Sequence, residues 1–117
     1  MSYVDGFVIP VPQGNREAYR EVAAKMSALW LDAGAERVVE CWGDDVSPGK
    51  VTDFYRAVNA EEGENVVFSW VFWPSRAVRD EGNARIMNDP RMSEVAMPFD
   101  GTRLVFGGFE VIVDVGA

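Results

Sequence analysis

The sequence predicts an α+β fold made of two βαβ halves, and three observations predict it. An apolar run over residues 3–9, Tyr-Val-Asp-Gly-Phe-Val-Ile, meets Pro10 and Pro12 and passes through Gly14 and Asn15 into a helical pattern. A second run over 66–73, Val-Val-Phe-Ser-Trp-Val-Phe-Trp, meets Pro74, and Ser75 opens a second helical stretch. Each strand-to-helix unit is followed by a further strand. The resulting order, β-α-β-β-α-β, is that of the ferredoxin-like fold: a four-stranded antiparallel sheet with two helices on one face.

The elements follow from local chemistry. After Asn15 as N-cap, apolar residues fall at Tyr19, Val22, Met26, Leu29, Trp30 and Ala33, a stripe of helical period. Gly34 is the C-cap glycine of that helix. A strand is predicted over Glu36–Trp42, then a turn-rich loop over Gly43–Lys50. Residues 52–57 read either as a short helix capped by Thr52, the reading favoured, or as an irregular strand extension, and 61–65 as a polar loop. The second main helix runs from Ser75 to about Asn88 and carries Gly82 in its interior. It stops before Asp89-Pro90, because the residue preceding a proline is pushed out of helical geometry. Residues 90–99 read as irregular with one turn near 93–96, Asp100-Gly101 as a turn, and 103 to about 114 as the last strand.

A chain of 117 residues with 48% hydrophobic and 26% charged residues is a single globular domain over 1–117, with enough apolar mass for a core. The net charge of −8 repels phosphate backbones, so nucleic acid is not an expected partner. The longest apolar stretch, 66–73, is far short of the roughly 20 residues of a membrane helix, so no membrane partner is expected either. One cysteine, Cys41, excludes an intrachain disulfide, and no basic segment precedes an apolar run at the start. Both point to the cytoplasm. The chain has no histidine, which removes Ser-His-Asp and Cys-His catalysis and every histidine-ligated metal or haem.

Sheet alternation leads to an assembly. One face of 66–73 carries Val66, Phe68, Trp70 and Phe72, and the other carries Val67, Ser69, Val71 and Trp73. The last strand is apolar on both sides as well, with Val105, Phe109, Val111 and Val113 against Leu104, Phe106 and Ile112. Two helices cover one face only, and an antiparallel sheet wet on its other face alternates with polar residues. This one does not. A second copy packed sheet to sheet, as a symmetric homodimer forming an α+β barrel, is therefore expected.

Several segments carry a family resemblance: Val38-Val39-Glu40-Cys41-Trp42-Gly43-Asp44-Asp45-Val46, Val67-Phe68-Ser69-Trp70, Trp73-Pro74-Ser75 with Val78-Arg79-Asp80, Asp89-Pro90-Arg91-Met92, and Met97-Pro98-Phe99-Asp100-Gly101 with Gly107-Gly108-Phe109-Glu110. Together they resemble the domain-of-unknown-function 1428 family of small bacterial proteins, similar in fold to the dimeric α+β barrels. The resemblance covers nearly the whole chain. It implies a ferredoxin-like protomer and a barrel-like dimer, and it brings no reaction with it. Proteins of that architecture include cofactor-free monooxygenases, haem-degrading enzymes, dehydratases and non-enzymatic binders; fold alone does not choose among them.

Local motifs exclude more than they assign. Gly43-x5-Gly49-Lys50 is one residue too long for a phosphate loop, Val51 replaces its Ser or Thr, and Asp44 and Asp45 repel phosphate. Asp44, Asp45 and Asp53 read as turn formers in a Pro/Gly loop, so no metal is expected. Cys41, at alternating spacing in a strand, reads as a small hydrophobe. Four tryptophans belong first to core and interface packing.

Two functional readings remain open. In the first, a pocket lined by Trp42, Trp70 and Phe99 accepts a small aromatic or apolar molecule, bound or transformed without cofactor. Asp44 or Asp80 serves as base there, and Arg79 or Arg103 stabilises a developing anion. In the second, the chain is a non-catalytic homodimer with a regulatory or interaction role.

Overall fold

The two apolar runs pair directly with each other. In the computed structural model, which describes residues 2–116, β1 (Tyr3–Pro12) lies antiparallel to β3 (Glu64–Trp73), with Tyr3 opposite Trp73 and Pro12 opposite Glu64. β2 (Arg37–Trp42) flanks β3 and β4 (Val105–Glu110) flanks β1, so the sheet order is β2-β3-β1-β4, antiparallel throughout. Two long helices, α1 (Arg16–Asp32) and α3 (Arg76–Met87), supply the crossovers. A four-residue helix, α2 (Phe54–Ala57), lies between β2 and β3. This is the expected α+β, ferredoxin-like arrangement. No helix among the described residues is long and apolar enough to cross a membrane.

Element ends depart from the sequence reading for identifiable reasons. β1 runs through Pro10 to Pro12 because its pairing with β4 stops at Val8 opposite Val105. Past Val8 that side of β1 is an edge, where a missing N–H is tolerated. β4 ends at Glu110, not near 114, because its partner β1 ends opposite, at Tyr3; beyond it the Val111 N–H donates to the Ser2 carbonyl at 3.2 Å. It also starts at Val105, after Arg103 has turned into ion pairs. Asn15 precedes α1 but makes no capping hydrogen bond; its Nδ2 donates to the Pro98 carbonyl at 2.9 Å. The cap of α2 is Asp53 and not Thr52: the Asp53 carboxylate accepts the Arg56 N–H at 2.8 Å. Ser75 does cap α3, accepting the Val78 N–H at 3.2 Å. Pro90–Glu94 forms a single 3-10 segment inside the stretch expected to be irregular.

The core lies between the helices and one sheet face. Trp73 is its centre, fully buried among Leu29, Ala33, Ala35, Val71 and Ile86. A second cluster of Ile9, Val11, Tyr19, Ala23 and Val67 continues it along α1. Gly82 explains the imperfect amphipathicity of α3. A Cβ there would sit 2.6 Å from the Trp73 ring and 2.9 Å from the Ala33 carbonyl oxygen, so glycine lets α3 close onto the indole and the end of α1. Just past α1, Gly34 takes φ of +113°, a backbone state that side chains disfavour.

The opposite face is apolar as expected. Val4, Val8, Val39, Phe68, Trp70 and Phe109 share it by register. Within the paired strands, charge falls on this face only at Arg37 and Glu64, both at strand starts. At one end α2 packs across it, with Phe54 edge-on to Phe68 at 6.0 Å between ring centres. The rest is open: Phe68 is 49% exposed and Phe109 60%.

Candidate functional site

A cleft runs between α1 and the edge strand β2 on the helix-covered side of the sheet. Helical spacing places Arg16, Tyr19, Arg20, Ala23, Ala24 and Ser27 along one face of α1. Strand alternation places Val38, Glu40 and Trp42 opposite them, with Val67 of β3 as the floor. The space between measures about 440 Å³, within the range of small-molecule sites. Aliphatic and aromatic side chains make up much of its walls, and the Tyr19 hydroxyl meets Glu40 within it.

Glu40 is the unusual residue of this cleft. It stands between Val38 and Trp42 on the helix-facing side of β2, and its register partner is the buried Ser69. The Tyr19 hydroxyl donates to Glu40 Oε1 at 2.6 Å, a short charge-assisted hydrogen bond. The Glu40 residue is exposed as a whole at the sheet edge, yet its carboxyl end is tucked beneath α1. Burial therefore raises its pKa above the ordinary glutamate value, while hydrogen bonds from Tyr19 and Ser69 pull part of the way back. The Tyr19 phenol is pushed strongly upward, first by burial and then by the Glu40 charge, so it stays a proton donor at neutral pH. A carboxylate of raised basicity fixed by a phenol and a serine can accept a proton or a hydrogen bond from a ligand. At the Trp42 end, the Arg16 guanidinium lies over the indole ring, 5.8 Å from its centroid.

The structure divides the residues expected to form the pocket. Trp42 and Phe99 come together around Tyr19: Phe99 stacks on the Tyr19 ring at 5.8 Å, and both pack on the second core cluster. Trp70 does not join them. It lies on the opposite, open face of the sheet, 5.5 Å from Phe68 between ring centres, because its parity in β3 is opposite to that of Val67. Asp44 is exposed in the loop after β2. Asp80 is half-exposed and bound to Arg79 and Arg76 on the surface of α3.

The two arginines expected to stabilise an anion are already neutralised within the chain. Arg103 donates to both Glu64 oxygens at 2.6 Å, to Asp100 at 3.0 Å and to the Asn59 carbonyl at 3.0 Å, clamping the segment before β4 to the start of β3. Arg79 donates to Asp5 through Nη2 at 2.8 Å and Nε at 3.0 Å, and its guanidinium stacks over the Tyr3 ring. Asp5, 4% exposed in β1, also accepts the Trp73 indole N–H at 3.0 Å. Arg79 and Arg103 are structural clamps here, each reaching one carboxylate distant in the chain, Asp5 and Glu64.

The sequence did not single out Glu40, Arg16 or Asp5, and it marked Tyr19 only as part of the apolar stripe of the first helix. A signal for Glu40 exists: it is a lone acid at an inward strand position between Val38 and Trp42.

Comparisons with known proteins agree with this fold. Residues 2–101 match the family model described as "Protein of unknown function (DUF1428)". "Uncharacterized protein YbaA" of Escherichia coli (strain K12) is 58% identical over 116 residues, covering 97% of this chain and 99% of the relative. The proteins of the same name from Escherichia coli O157:H7 and Shigella flexneri match to the same extent. Among solved structures, "Structure of Rv0793 from Mycobacterium tuberculosis" superposes with a TM-score of 0.54 at 13% identity, covering 99% of this chain and 100% of that one. At that identity the likeness speaks for the fold alone. The chain belongs to the domain-of-unknown-function 1428 family, and its protomer has a ferredoxin-like α+β fold.

Proposed function

We propose that this protein binds, and through Glu40 can transform, a small aromatic molecule in the cleft between α1 and β2, without cofactor and as a cytoplasmic homodimer. The observation that carries the reading is Glu40 itself. A carboxylate raised in pKa, held at 2.6 Å by a buried phenol and set beside Ala23, Val38, Trp42 and Val67, is the arrangement of a group that meets a ligand. A ring lying against Trp42, Val38 and Ala24 would present a hydroxyl or N–H to that carboxylate. With no histidine in the chain, glutamate is the group suited to take the proton.

The homodimer rests on a different observation. The open sheet face holds Phe68, Trp70 and Phe109 with charge only at its margins, so two copies of a chain of net charge −8 meet there without opposing like charges. Such a face is self-complementary, as a two-fold interface requires.

A thermal-shift screen of hydroxyaromatic compounds tests the ligand reading on wild type, Glu40→Gln and Tyr19→Phe. A compound at 100 times its Kd stabilises by about 2.7 kcal/mol, a shift of about 10 °C for a chain of this size. The expected hit shifts wild type and shifts Glu40→Gln much less. Hits that ignore both substitutions would remove the cleft from the account.

A further inference from the structure

We propose that the ligand of the α1–β2 cleft is an aromatic anion, a ring carrying a carboxylate at one end and a hydroxyl at the other, with Arg16 receiving the carboxylate and Glu40 the hydroxyl. This rests on the cleft reading and adds the class of molecule. Three observations carry it. First, Arg16 makes no ion pair among the described residues, although the chain holds 19 acidic side chains. The neighbouring cation on the same helix face, Arg20, is occupied by Glu17 at 2.9 Å, and Arg79 and Arg103 are closed by Asp5 and Glu64. Second, the Arg16 guanidinium is placed over Trp42 at 5.8 Å, at the mouth of the cleft and with its donors free. A guanidinium lying on an indole is the geometry in which a planar carboxylate is taken up in plane while a ring lies against the same aromatic wall.

Third, the two polar groups face one cleft from different elements, Arg16 on α1 and Glu40 on β2, with the Trp42 indole beside Arg16. An aromatic hydroxy acid offers a carboxylate to the first, a hydroxyl to the second and a ring to the indole, whereas an aliphatic acid leaves the aromatic wall uncovered. The order also follows from charge. The ligand carboxylate goes to the cation, away from Glu40, and its hydroxyl faces the one group in the cleft that is a base rather than a donor. Tyr19, Ser27 and Arg20 offer only donors or neutral hydroxyls to the cleft.

NMR titration of the full chain with 4-hydroxybenzoate, phenol and benzoate tests this, with dissociation constants read for wild type, Arg16→Gln and Glu40→Gln. Arg16 is exposed on the first turn of α1, so its replacement leaves the core untouched. The expected result is that 4-hydroxybenzoate binds wild type at least tenfold tighter than either phenol or benzoate. Arg16→Gln brings its affinity down to that of phenol, and Glu40→Gln down to that of benzoate. Equal binding of phenol and 4-hydroxybenzoate, or a preference that survives Arg16→Gln, overturns the anion assignment while the cleft reading stands. Binding of phenol or 4-hydroxybenzoate that is indifferent to Glu40→Gln, or no binding of any of the three, overturns both.

Discussion

Removing the Asp5 carboxylate is expected to destabilise the fold by about 3–4 kcal/mol, because it strands donors that cannot all find water. The Trp73 indole is fully buried, so after Asp5→Ala its N–H at the vacated 3.0 Å contact has no acceptor. An unmet buried donor costs about 1–3 kcal/mol. Arg79 loses the hydrogen bonds made by its Nε and Nη2 and a buried counter-charge, and breaking such a pair costs about 3–5 kcal/mol when both partners are enclosed. Its side chain is 19% exposed and already bonds Asp80 at 2.9 Å, which offsets part of that loss. The sum is therefore nearer 3–4 than 6 kcal/mol. Asp5→Asn keeps an oxygen for the indole but faces the guanidinium with an amide, and should cost about half as much. Urea unfolding at fixed protein concentration measures both, with an unchanged m-value expected. The Asp5→Ala transition should also fall by about 12 °C in a thermal melt. A loss under about 1 kcal/mol for Asp5→Ala would show that this cluster is not what fastens α3 to β1.

Three further outcomes follow from packing and charge. Gly82→Ala gains helix propensity of about 1 kcal/mol yet should still destabilise by about 1–3 kcal/mol, because its methyl meets the Trp73 ring and the Ala33 carbonyl; equal or greater stability in urea would contradict the close approach. Glu40 has its folded pKa raised, so its contribution is fully present below the ordinary value of 4.5 and lost as pH rises through the folded value. Glu40→Gln should therefore gain on wild type as pH rises through that window, read as the difference in urea midpoint between about pH 4 and 8, and a pH-independent difference would contradict the raised pKa. Glu64 is held low by Arg103 and Asp100 to about 2 by Thr102 and Arg103, contributions lost only as pH falls; they are common to both proteins and cancel in that comparison. Phe109→Lys on the open face should turn a sedimenting dimer into a monomer with little change in the protomer, and a dimer that persists would move the interface elsewhere.

The fold was legible because strand period, helix period and turn residues agreed over long segments. The two apolar runs that opened the sequence are the two central strands, and the predicted alternation of residues 66–73 is the observed one. Boundaries were less legible where the partner decided them. Whether Pro10 lies in a strand depends on how far β4 extends, and where β4 ends depends on Tyr3, neither of which is local. The candidate site was read from aromatic and charged residues spread from Trp42 to Arg103, and the sheet then sent Trp42 and Trp70 to opposite faces. Strand parity within 66–73 already separated Trp70 from Val67, but the parity of Trp42 relative to them needs the β2–β3 register, which no spacing supplies. The same holds for Arg79 and Arg103: their carboxylates, Asp5 and Glu64, lie 74 and 39 residues away. Glu40 was legible in principle, as an acid on an inward strand position, and its significance appears only once Tyr19 of α1 is seen above it.

The most direct measurement is backbone and indole amide NMR of the full chain during titration with a phenolic ligand. The cleft between α1 and β2 predicts the largest shifts at Tyr19, Glu40 and the Trp42 indole, with Trp70 on the far face unmoved. Shifts centred on Trp70 and Phe68, with Glu40 and Trp42 silent, would place ligand on the open sheet face and contradict the account.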